Sequence, residues 1–310
     1  QLEIASLVKR VEEEKTEEKT EENDGKFVLE YPEEFQESYG KELVLDKKPE
    51  HILIMTIQPV MTFYKLGINM DVIPESWSYP WPDDIGAEVI SWHGDIDVEE
   101  VMSKNPDLII MSEFSANKYK HVFEENNVPV YISRNFKTIE KTLEDMDIYA
   151  KAFGKEDKAA EIRAEIESEV EKLKENGAKG ETRKILILSG VPIQYVQSEN
   201  GFVGHLFDLL GMENVTPQET SSTGMYEINM ENVVSKNPDL IICIGKGETA
   251  EEVKELYAEE FNKNIEVWEQ VDGFKNDNII YLDKGFANSC GINIINNLKT
   301  MNEMFKDGVK

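Results

Sequence analysis

Short apolar runs without polar alternation recur along the chain, separated by longer helical patterns. The clearest are HILIMT at 51–56, DLIIMS at 107–112 and VPVYIS at 128–133, and the pattern returns with KILILS at 184–189 and DLIICI at 239–244. Strands that are apolar on both faces are typical of parallel sheets covered by helices. The pattern therefore predicts an α/β protein with mostly parallel sheets.

A long stretch in the middle of the chain, residues 138–180, contains no strand pattern. Apolar residues recur there at three- and four-residue steps, first over Ile139–Phe153, which Gly154 follows, and again over 162–173. This spacing keeps one face of a helix apolar, and glycine commonly follows a helix end. We predict consecutive helices that form a spine between two sheets.

An internal repeat relates the two halves of the chain. DVEEVMSKNPDLIIMS at 97–112 and NMENVVSKNPDLIICI at 229–244 share the eight consecutive residues SKNPDLII. The copies lie too far apart for a short-period solenoid, so they predict two related lobes. In each copy, Asn-Pro is expected to end a helix just before a strand.

These patterns divide the chain into four segments. Residues 1–26 are dominated by Glu, Lys and Thr, and such a composition cannot bury enough apolar surface to offset the entropy of ordering. We expect a flexible acidic tether there. The other segments are an N-terminal α/β lobe at 27–137, the helical spine at 138–180 and a C-terminal α/β lobe at 181–310.

Charge and motifs narrow the functional classes. A net charge of −29 excludes nucleic acid as a partner, because phosphate binding needs clustered Lys and Arg. The sequence has no run of eighteen apolar residues and no GxSxG, HExxH, P-loop or GxGxxG motif, so it predicts neither a membrane span nor an enzyme. Cys243 and Cys290 are compatible with two buried thiols or with a disulfide.

Four segments carry a resemblance to a known family. They are KKPEHILIMT (47–56), the two SKNPDLII units, VPIQYVQSENGFVGHLFDLLGMENV (191–215) and VWEQVDGFKNDNIIYLD (267–283). In this order they resemble the metal-chelate-binding subgroup of ABC-importer substrate-binding proteins, which bind siderophores, heme or cobalamin. The resemblance implies a periplasmic-binding-protein-like fold of the helical-backbone type, in which two Rossmann-like lobes hold the ligand between them.

The second half of the chain is most similar to the heme-receptor lipoproteins of Gram-positive bacteria, through KILILSGVP and GETAEEVKELYAEEFNKN at 247–264. This similarity implies a monomeric receptor that captures heme or another iron chelate and delivers it to an ABC permease, with no permanent cofactor. It also implies a place on the extracellular face of the cell membrane, held by a lipid anchor N-terminal to the tether.

Two alternatives to a heme receptor stay open. Within the family, the chain could be a siderophore or cobalamin receptor. From another class, it could be a chelatase-like or nitrogenase-type metallo-enzyme, because those folds also pair parallel-sheet lobes. Such enzymes use a catalytic His or cysteine-ligated clusters, and two cysteines are too few for the latter.

A ligand between the lobes should contact the loops that follow the carboxyl ends of the strands. The segment ESWSYPWPDD at 75–84 places three aromatic rings in one such loop, where they could wall a flat macrocycle or a catechol ring. One or two of these rings could instead fill the core. The aromatic and apolar residues that we expect to contact the ligand are Trp77, Tyr79, Trp81, Trp92, Tyr195, Met225 and Tyr226.

His93 is the candidate ligand for heme iron. The similar receptors hold iron with a Met from the first lobe and a His from the second, but the corresponding segments here read WHG at 92–94 and GKG at 245–247. Neutral imidazole is a good ligand for heme iron, so His93 could replace the first of these ligands. Otherwise it is an ordinary hydrogen-bonding residue of a loop. Met225 or Tyr226 could coordinate from the opposite lobe.

Five charged residues complete the set of candidate functional residues. Arg134, Lys246 and Lys284 each follow a strand and could bind heme propionates or iron catecholates, or could remain solvated surface charges. Glu99 and Glu231 occupy the same position in the two repeats. In the family that position docks with arginines of the permease, although an acid there also stabilises the N-terminus of a helix.

Overall fold

The computed structural model describes residues 25–76, 79–91, 96–134, 138–216, 224–287 and 291–308. Contacts divide the chain into one unit that ends at Glu50 and another that begins at His51. In the first unit, strand β1 (Phe27–Glu30) pairs antiparallel with β2 (Glu42–Leu45), and helix α1 (Glu33–Tyr39) connects them.

The second unit begins with a five-stranded parallel sheet in the order β5-β4-β3-β6-β7. Its strands are β3 (Ile52–Ile54), β4 (Val72–Pro74), β5 (Glu88–Ile90), β6 (Leu108–Ser112) and β7 (Val130–Ser133). Its connecting helices are α2 (Val60–Leu66), α3 (Val98–Ser103) and α4 (Glu113–Glu125). We call this sheet with its helices the first lobe.

Two helices follow the first lobe and form the predicted spine, α5 (Ile139–Phe153) and α6 (Glu156–Ala178). The hydroxyl of Thr138 caps α5, and Gly154 ends it in the left-handed conformation. The apolar faces of both helices are buried, as the three- and four-residue spacing predicts.

The second lobe is built on a six-stranded sheet in the order β11-β9-β8-β12-β13, with β10 paired to the start of β8. Its strands are β8 (Lys184–Ser189), β9 (Tyr195–Gln197), β10 (Glu213–Asn214), β11 (Met225–Glu227), β12 (Leu240–Ile244) and β13 (Ile279–Leu282). Strand β9 is antiparallel to β8 and β11, and the other pairings are parallel. The prediction of an α/β fold with mostly parallel sheets is confirmed.

Seven α-helices and one short 3₁₀ helix of the second lobe complete the described chain. They are α7 (Phe202–Leu209), α8 (Met230–Lys236), α9 (Ala250–Lys263), α10 (Ile265–Trp268), α11 (Asp272–Lys275), α12 (Lys284–Ala287), the 3₁₀ helix Gly291–Asn293 and α13 (Ile294–Met304). None of the helices in the described part of the chain combines the length and the apolar character needed to cross a bilayer.

The internal repeat occupies the same place in both lobes, because it forms α3 and β6 in the first and α8 and β12 in the second. Helix α3 ends at Ser103 and α8 at Lys236, and each is followed within two residues by an asparagine with positive φ, 51° at Asn105 and 46° at Asn237. Asparagine tolerates this left-handed conformation better than most residues, and the proline that follows disfavours further helix. The Asn-Pro pair therefore ends both helices, as predicted.

The aspartate of the repeat joins each pair of central strands. Asp107 Oδ2 accepts a hydrogen bond from the backbone N–H of His51 at 3.3 Å, and Asp239 Oδ2 accepts one from Lys184 at 3.0 Å. In both lobes the aspartate directly precedes one central strand, β6 or β12, and the residue that donates the hydrogen bond lies at the start of the neighbouring central strand, β3 or β8. The identical residues SKNPDLII thus encode a helix end, a link between strands and a buried strand.

A polar ladder holds the last helix, α13, against the spine helix α6. Asn302 Nδ2 donates to the backbone carbonyl and the carboxylate of Glu169, both at 2.9 Å, and Asn176 Nδ2 donates to Asn302 Oδ1 at 3.1 Å. The hydrogen bond from Lys172, followed by that from Asn302, lowers the pKa of Glu169 against the opposing effect of burial. The second lobe is thereby attached along the spine.

His205 gives a further link to the spine. Its Nε2 lies 3.4 Å from the backbone nitrogen of Ile139, at the start of α5. Burial lowers the pKa of His205, although the charges of Glu140 and Asp208 oppose this shift. The neutral ring can therefore accept the hydrogen bond from a helix N-terminus, where a backbone N–H lacks a partner within the helix.

The 3₁₀ helix at 291–293 brings the second lobe onto α2 of the first. Gly291 has φ +57°, and a Cβ atom there would lie 2.3 Å from the carbonyl oxygen of Gln58. Only glycine permits both the conformation and this close approach of two backbones.

We predict that Gly291→Ala lowers the free energy of unfolding by more than the matched change Gly154→Ala. Both glycines have positive φ, but a Cβ at Gly154 meets nothing within 4 Å. The control therefore measures the conformational cost alone, about 1 kcal/mol, and Gly291→Ala adds the displacement of the Gln58 backbone, for a total of about 2–4 kcal/mol. Urea denaturation measures both, and equal losses would show that the contact is unimportant for stability.

Candidate functional site

A cavity of about 640 Å³ lies between the two lobes. The first lobe contributes the loop after β4, and the second contributes the segment after β13 together with α13. Both strands end at the carboxyl edge of their sheets, where a ligand was expected. The residues that line the cavity are Met61, Tyr79, Pro80, Trp81, Pro82, Asp83, Asp283, Gly285, Phe286, Asn293, Asn296, Asn297 and Thr300.

Tyr79 and Trp81 form the aromatic wall of this cavity. Their ring centroids are 5.3 Å apart and their planes stand at 86°, an edge-to-face arrangement. Trp81 Nε1 donates to the carbonyl oxygen of Pro74 at 2.7 Å, which fixes the indole. Tyr79 and Trp81 thus line the cavity, and their contact with a ligand stays a prediction, whereas Trp77 lies outside the described residues.

Two asparagines contribute polar groups from the second lobe. Asn297 Nδ2 donates to the carbonyl oxygen of Phe286 at 2.8 Å, which holds α12 against α13. Asn293 is only 6% exposed, and its side chain makes no hydrogen bond within the described part of the chain. Sequence reasoning missed both residues, because an asparagine on a helix carries no signal of its own.

Carboxylates enter the cavity from both lobes. Asp83 belongs to the first-lobe loop and is exposed. Asp283 follows β13, and its Oδ1 accepts a hydrogen bond from the backbone N–H of Phe286 at 2.9 Å. None of the lining residues identified in the described ranges is Lys, Arg or His.

The three cationic side chains that were expected to bind a ligand are not among the lining residues of the cavity. The ammonium of Lys284 forms an ion pair with Glu248, and Lys246 is exposed and is not among the lining residues of the cavity. Arg134 has only 4% of its side chain exposed and pairs with Asp145 at 2.6 Å and Glu144 at 2.7 Å. The expectation that Arg134 offers its charge to a ligand is corrected, because two carboxylates of α5 already compensate it.

The hydroxyl of Tyr257 supports the strand ends of the second lobe from beneath. It lies 2.8 Å from the carbonyl oxygen of Ile244 and 3.2 Å from those of Leu188 and Gly190. Burial raises the pKa of Tyr257 well above the usual value, so the phenol remains a donor. Tyr257 thus positions the loops after β8 and β12 without being part of the cavity.

Phe114 is the most exposed large apolar side chain of the described chain, at 90%. It lies in the first turn of α4, directly after the central strand β6. An apolar ring at the carboxyl edge of a central strand is available to a ligand or to a partner. Phe114 follows the strand predicted at 107–112, but it was not among the residues expected to contact the ligand.

Tyr195, Met225 and Tyr226 lie on the antiparallel edge of the second sheet. Tyr195 pairs with Ser189 at the carboxyl end of β8 and is exposed, whereas Met225 pairs with Gln197 farther down the sheet. Tyr226 packs against the core of the second lobe and lines a separate cavity of about 240 Å³. Its expected place in the cleft is therefore corrected, because successive residues of a strand face opposite sides of a sheet.

Three further residues named in the sequence analysis lie outside the part of the chain that the structure describes. Trp92 and His93 lie outside the described residues, as does Cys290. Cys243 is a free thiol within β12, and burial raises its pKa well above the usual value. The described ranges contain no group of three or more His, Cys, Asp or Glu side chains that could hold a metal ion.

Glu99 and Glu231 occupy equivalent and exposed positions. Each is the second residue of its helix, and the N-cap residue before it, Asp97 or Asn229, accepts a hydrogen bond from the third helical N–H. Neither glutamate forms an ion pair with any described residue. Because α3 and α8 run back between parallel strands, their N-termini lie at the carboxyl edges of the sheets, the edges that border the cleft.

Comparisons with known proteins support this fold. The profile of a family described as periplasmic binding protein matches residues 54–285. The petrobactin-binding protein YclQ of Bacillus subtilis (strain 168) is 25% identical over 272 residues, which cover 84% of this chain and 82% of YclQ.

Solved structures give the same result. An ABC transporter substrate-binding protein from Listeria monocytogenes EGD-e is 26% identical, with a TM-score of 0.71, and the match covers 84% of this chain and 100% of that chain. Staphylococcus aureus IsdE complexed with heme is 23% identical, with a TM-score of 0.68, and the match covers 82% of this chain and 98% of that chain.

We predict that Asp145→Asn lowers the free energy of unfolding by about 3 kcal/mol, because it leaves the buried guanidinium of Arg134 without its buried carboxylate partner. Glu144→Gln is the matched control. It removes the second partner of the same arginine, but this side chain is 47% exposed and solvent screens its charge, so stability should change little. Urea denaturation at pH 7 compares them, and equal effects would contradict a structural role for the buried pair.

Proposed function

Because the chain belongs to the periplasmic binding protein family, we propose that it captures an iron chelate between its two lobes and delivers it to the permease of an ABC importer. Members of this family are binding proteins of transport and not enzymes, which removes the chelatase-like or nitrogenase-type alternative. The proposed place of action is the extracellular face of the cell membrane, with the protein held there as a monomer by an N-terminal lipid anchor.

The interlobe cavity is the observation that carries this proposal. Its volume of about 640 Å³ lies within the usual range of small-molecule sites, roughly 300–1,000 Å³. It combines an aromatic wall with a few polar groups, and residues of both lobes contribute. A ligand that touches both lobes can stabilise the arrangement that a permease recognises.

The similar proteins support iron chelates as the class of cargo. YclQ is named for petrobactin binding, and the IsdE structure holds heme. Heme and a siderophore are the iron chelates that these similarities support for this chain, and cobalamin, a cobalt chelate, is the remaining alternative. The heme version requires an axial ligand, for which His93 is the candidate in the first lobe.

We expect the purified protein to bind at least one ferric chelate with quenching of tryptophan fluorescence, because Trp81 lines the cavity. Hemin, a ferric trihydroxamate, a ferric tricatecholate and cyanocobalamin should each be titrated, with native mass spectrometry to count bound molecules. Trp81→Phe serves as the control that ties the quenching to this cavity. Failure of hemin and of both ferric siderophores to bind would overturn the proposed function, and binding of cyanocobalamin alone would replace it with the cobalamin alternative.

The same titration decides the role of His93. If hemin binds, His93→Ala should shift the Soret band and weaken hemin binding tenfold or more, about 1.4 kcal/mol. His121→Ala, which changes an exposed histidine of α4, is the matched control and should leave both unchanged. A Soret band unaffected by His93→Ala would remove this residue as the iron ligand.

We propose that Glu99 and Glu231 dock the loaded protein onto the permease, one from each lobe. We predict that Glu99→Ala combined with Glu231→Ala leaves chelate binding intact but abolishes uptake of the radiolabelled ferric chelate by cells. Exposed carboxylates with no ion pair among the described residues can pair with cations of a partner without first breaking an internal contact.

Glu100→Ala combined with Glu251→Ala is the control for this docking experiment. It removes the same number of exposed carboxylates from the first turns of α3 and α9. Uptake by the control should remain near that of the unmodified protein. Normal uptake by the Glu99 and Glu231 double variant would contradict the docking role.

A further inference from the structure

The interlobe cavity carries acidic but no basic side chains among its described lining residues. Asp83 and Asp283 face it from opposite lobes, beside Tyr79 and Trp81. The chain as a whole has a net charge of −29, which adds a negative background potential. A polyanionic cargo entering this cavity would meet carboxylates, and no described residue of the lining offers a compensating cation.

Both carboxylates have acceptor capacity left for a ligand. One oxygen of Asp283 accepts the N–H of Phe286, but a carboxylate offers about four acceptor positions. Asp83 is exposed and forms neither an ion pair nor a side-chain hydrogen bond within the described chain. Its neighbour Asp84, by contrast, accepts a hydrogen bond from the hydroxyl of Tyr64 at 2.7 Å.

The aromatic wall, like the two carboxylates, favours a positively charged group. The face of an indole or phenol ring is negative and attracts an ammonium group, by about 0.5–2 kcal/mol depending on desolvation. Trp81 is well placed for this interaction because its hydrogen bond to Pro74 fixes the ring. An ammonium group between this wall and the two carboxylates would gain from both kinds of contact.

Asn293 adds a polar group to the lining of the cavity. Its side chain is more than nine-tenths buried, lines the cavity and makes no hydrogen bond to any described residue. Its amide atoms are not among the fully buried polar atoms that lack a hydrogen bond, so they stay open to water or a ligand in the cavity. Its amide can both donate and accept, which suits the neutral amide or hydroxamate groups of a chelator backbone.

We propose that the cargo is an iron chelate that places a protonated amine in this cavity, between Asp83, Asp283 and the aromatic wall, with neutral polar groups of its backbone on Asn293. This inference rests on the proposed function, since it specifies the chemical class of the chelate. It distinguishes amine-bearing chelates from those whose exposed groups are carboxylates or catecholates.

The test compares probes that differ in charge. Ferrioxamine B is a ferric trihydroxamate with one pendant ammonium group, and its N-acetyl derivative is the same chelate without that charge. Hemin and a ferric tricatecholate are the anionic probes. We expect ferrioxamine B to bind at least tenfold more tightly than the N-acetyl derivative by isothermal titration calorimetry, and added salt to reduce this difference.

Variants then assign the effect to the two carboxylates. Asp83→Asn combined with Asp283→Asn should reduce the preference for the ammonium to less than threefold, and asparagine keeps the N-capping acceptor of α12. Asp84→Asn removes an adjacent negative charge that does not line the cavity and should leave the preference unchanged. Circular dichroism melts check that every variant is folded.

The outcomes separate the two proposals. Tight binding of hemin or of the tricatecholate, with no preference for the ammonium-bearing probe, would overturn the inference about charge and leave the proposed function standing. The same holds if the double variant retains the full preference. Absence of binding by every probe would overturn the proposed function, and the inference with it.

Discussion

The approach of the Gly291 backbone to the carbonyl oxygen of Gln58 is the contact on which the interlobe cavity depends. A spine helix of 23 residues, about 35 Å long, joins the lobes but does not by itself fix their mutual orientation. The second attachment lies at the cavity itself, since Asn293 follows Gly291 by two residues and Met61 follows Gln58 by three. The backbone contact thereby sets the distance between the groups that each lobe presents to a ligand.

The large features of the fold were predictable because each rests on a local rule. The repeated SKNPDLII contains an Asn that accepts positive φ, a Pro that disfavours helix, an Asp that links two strands and three residues that are buried in the sheet. Every part of this code acts within one strand-helix-strand unit. Duplication of the unit therefore revealed two lobes without any knowledge of how they pack.

The candidate site was less predictable, because its chemistry depends on partners distant in sequence or on the face of a strand. Arg134 follows a strand, as a ligand-binding cation should, but Asp145 on the next helix neutralises it. Tyr226 belongs to a three-residue strand, too short for alternation to reveal that its ring turns into the core. Asn293 is one of many asparagines, and its significance comes from its place in the cavity lining, which depends on how the two lobes pack.

The acidity of the chain has different physical consequences outside and inside the cleft. On the surface, the exposed Glu99 and Glu231 are solvated and cost little free energy of folding, and they remain available to cations of a partner. In the interlobe cavity, Asp283 is half-buried, so its charge is less screened by water and acts more strongly on a ligand, whereas Asp83 is exposed at the same cavity. Specificity is a difference between affinities, and repulsion of the wrong ligand contributes to it as much as attraction of the right one. A cavity whose described lining residues include two carboxylates and no cation can therefore select among ligands through the charge at their periphery, even where the metal centres are alike.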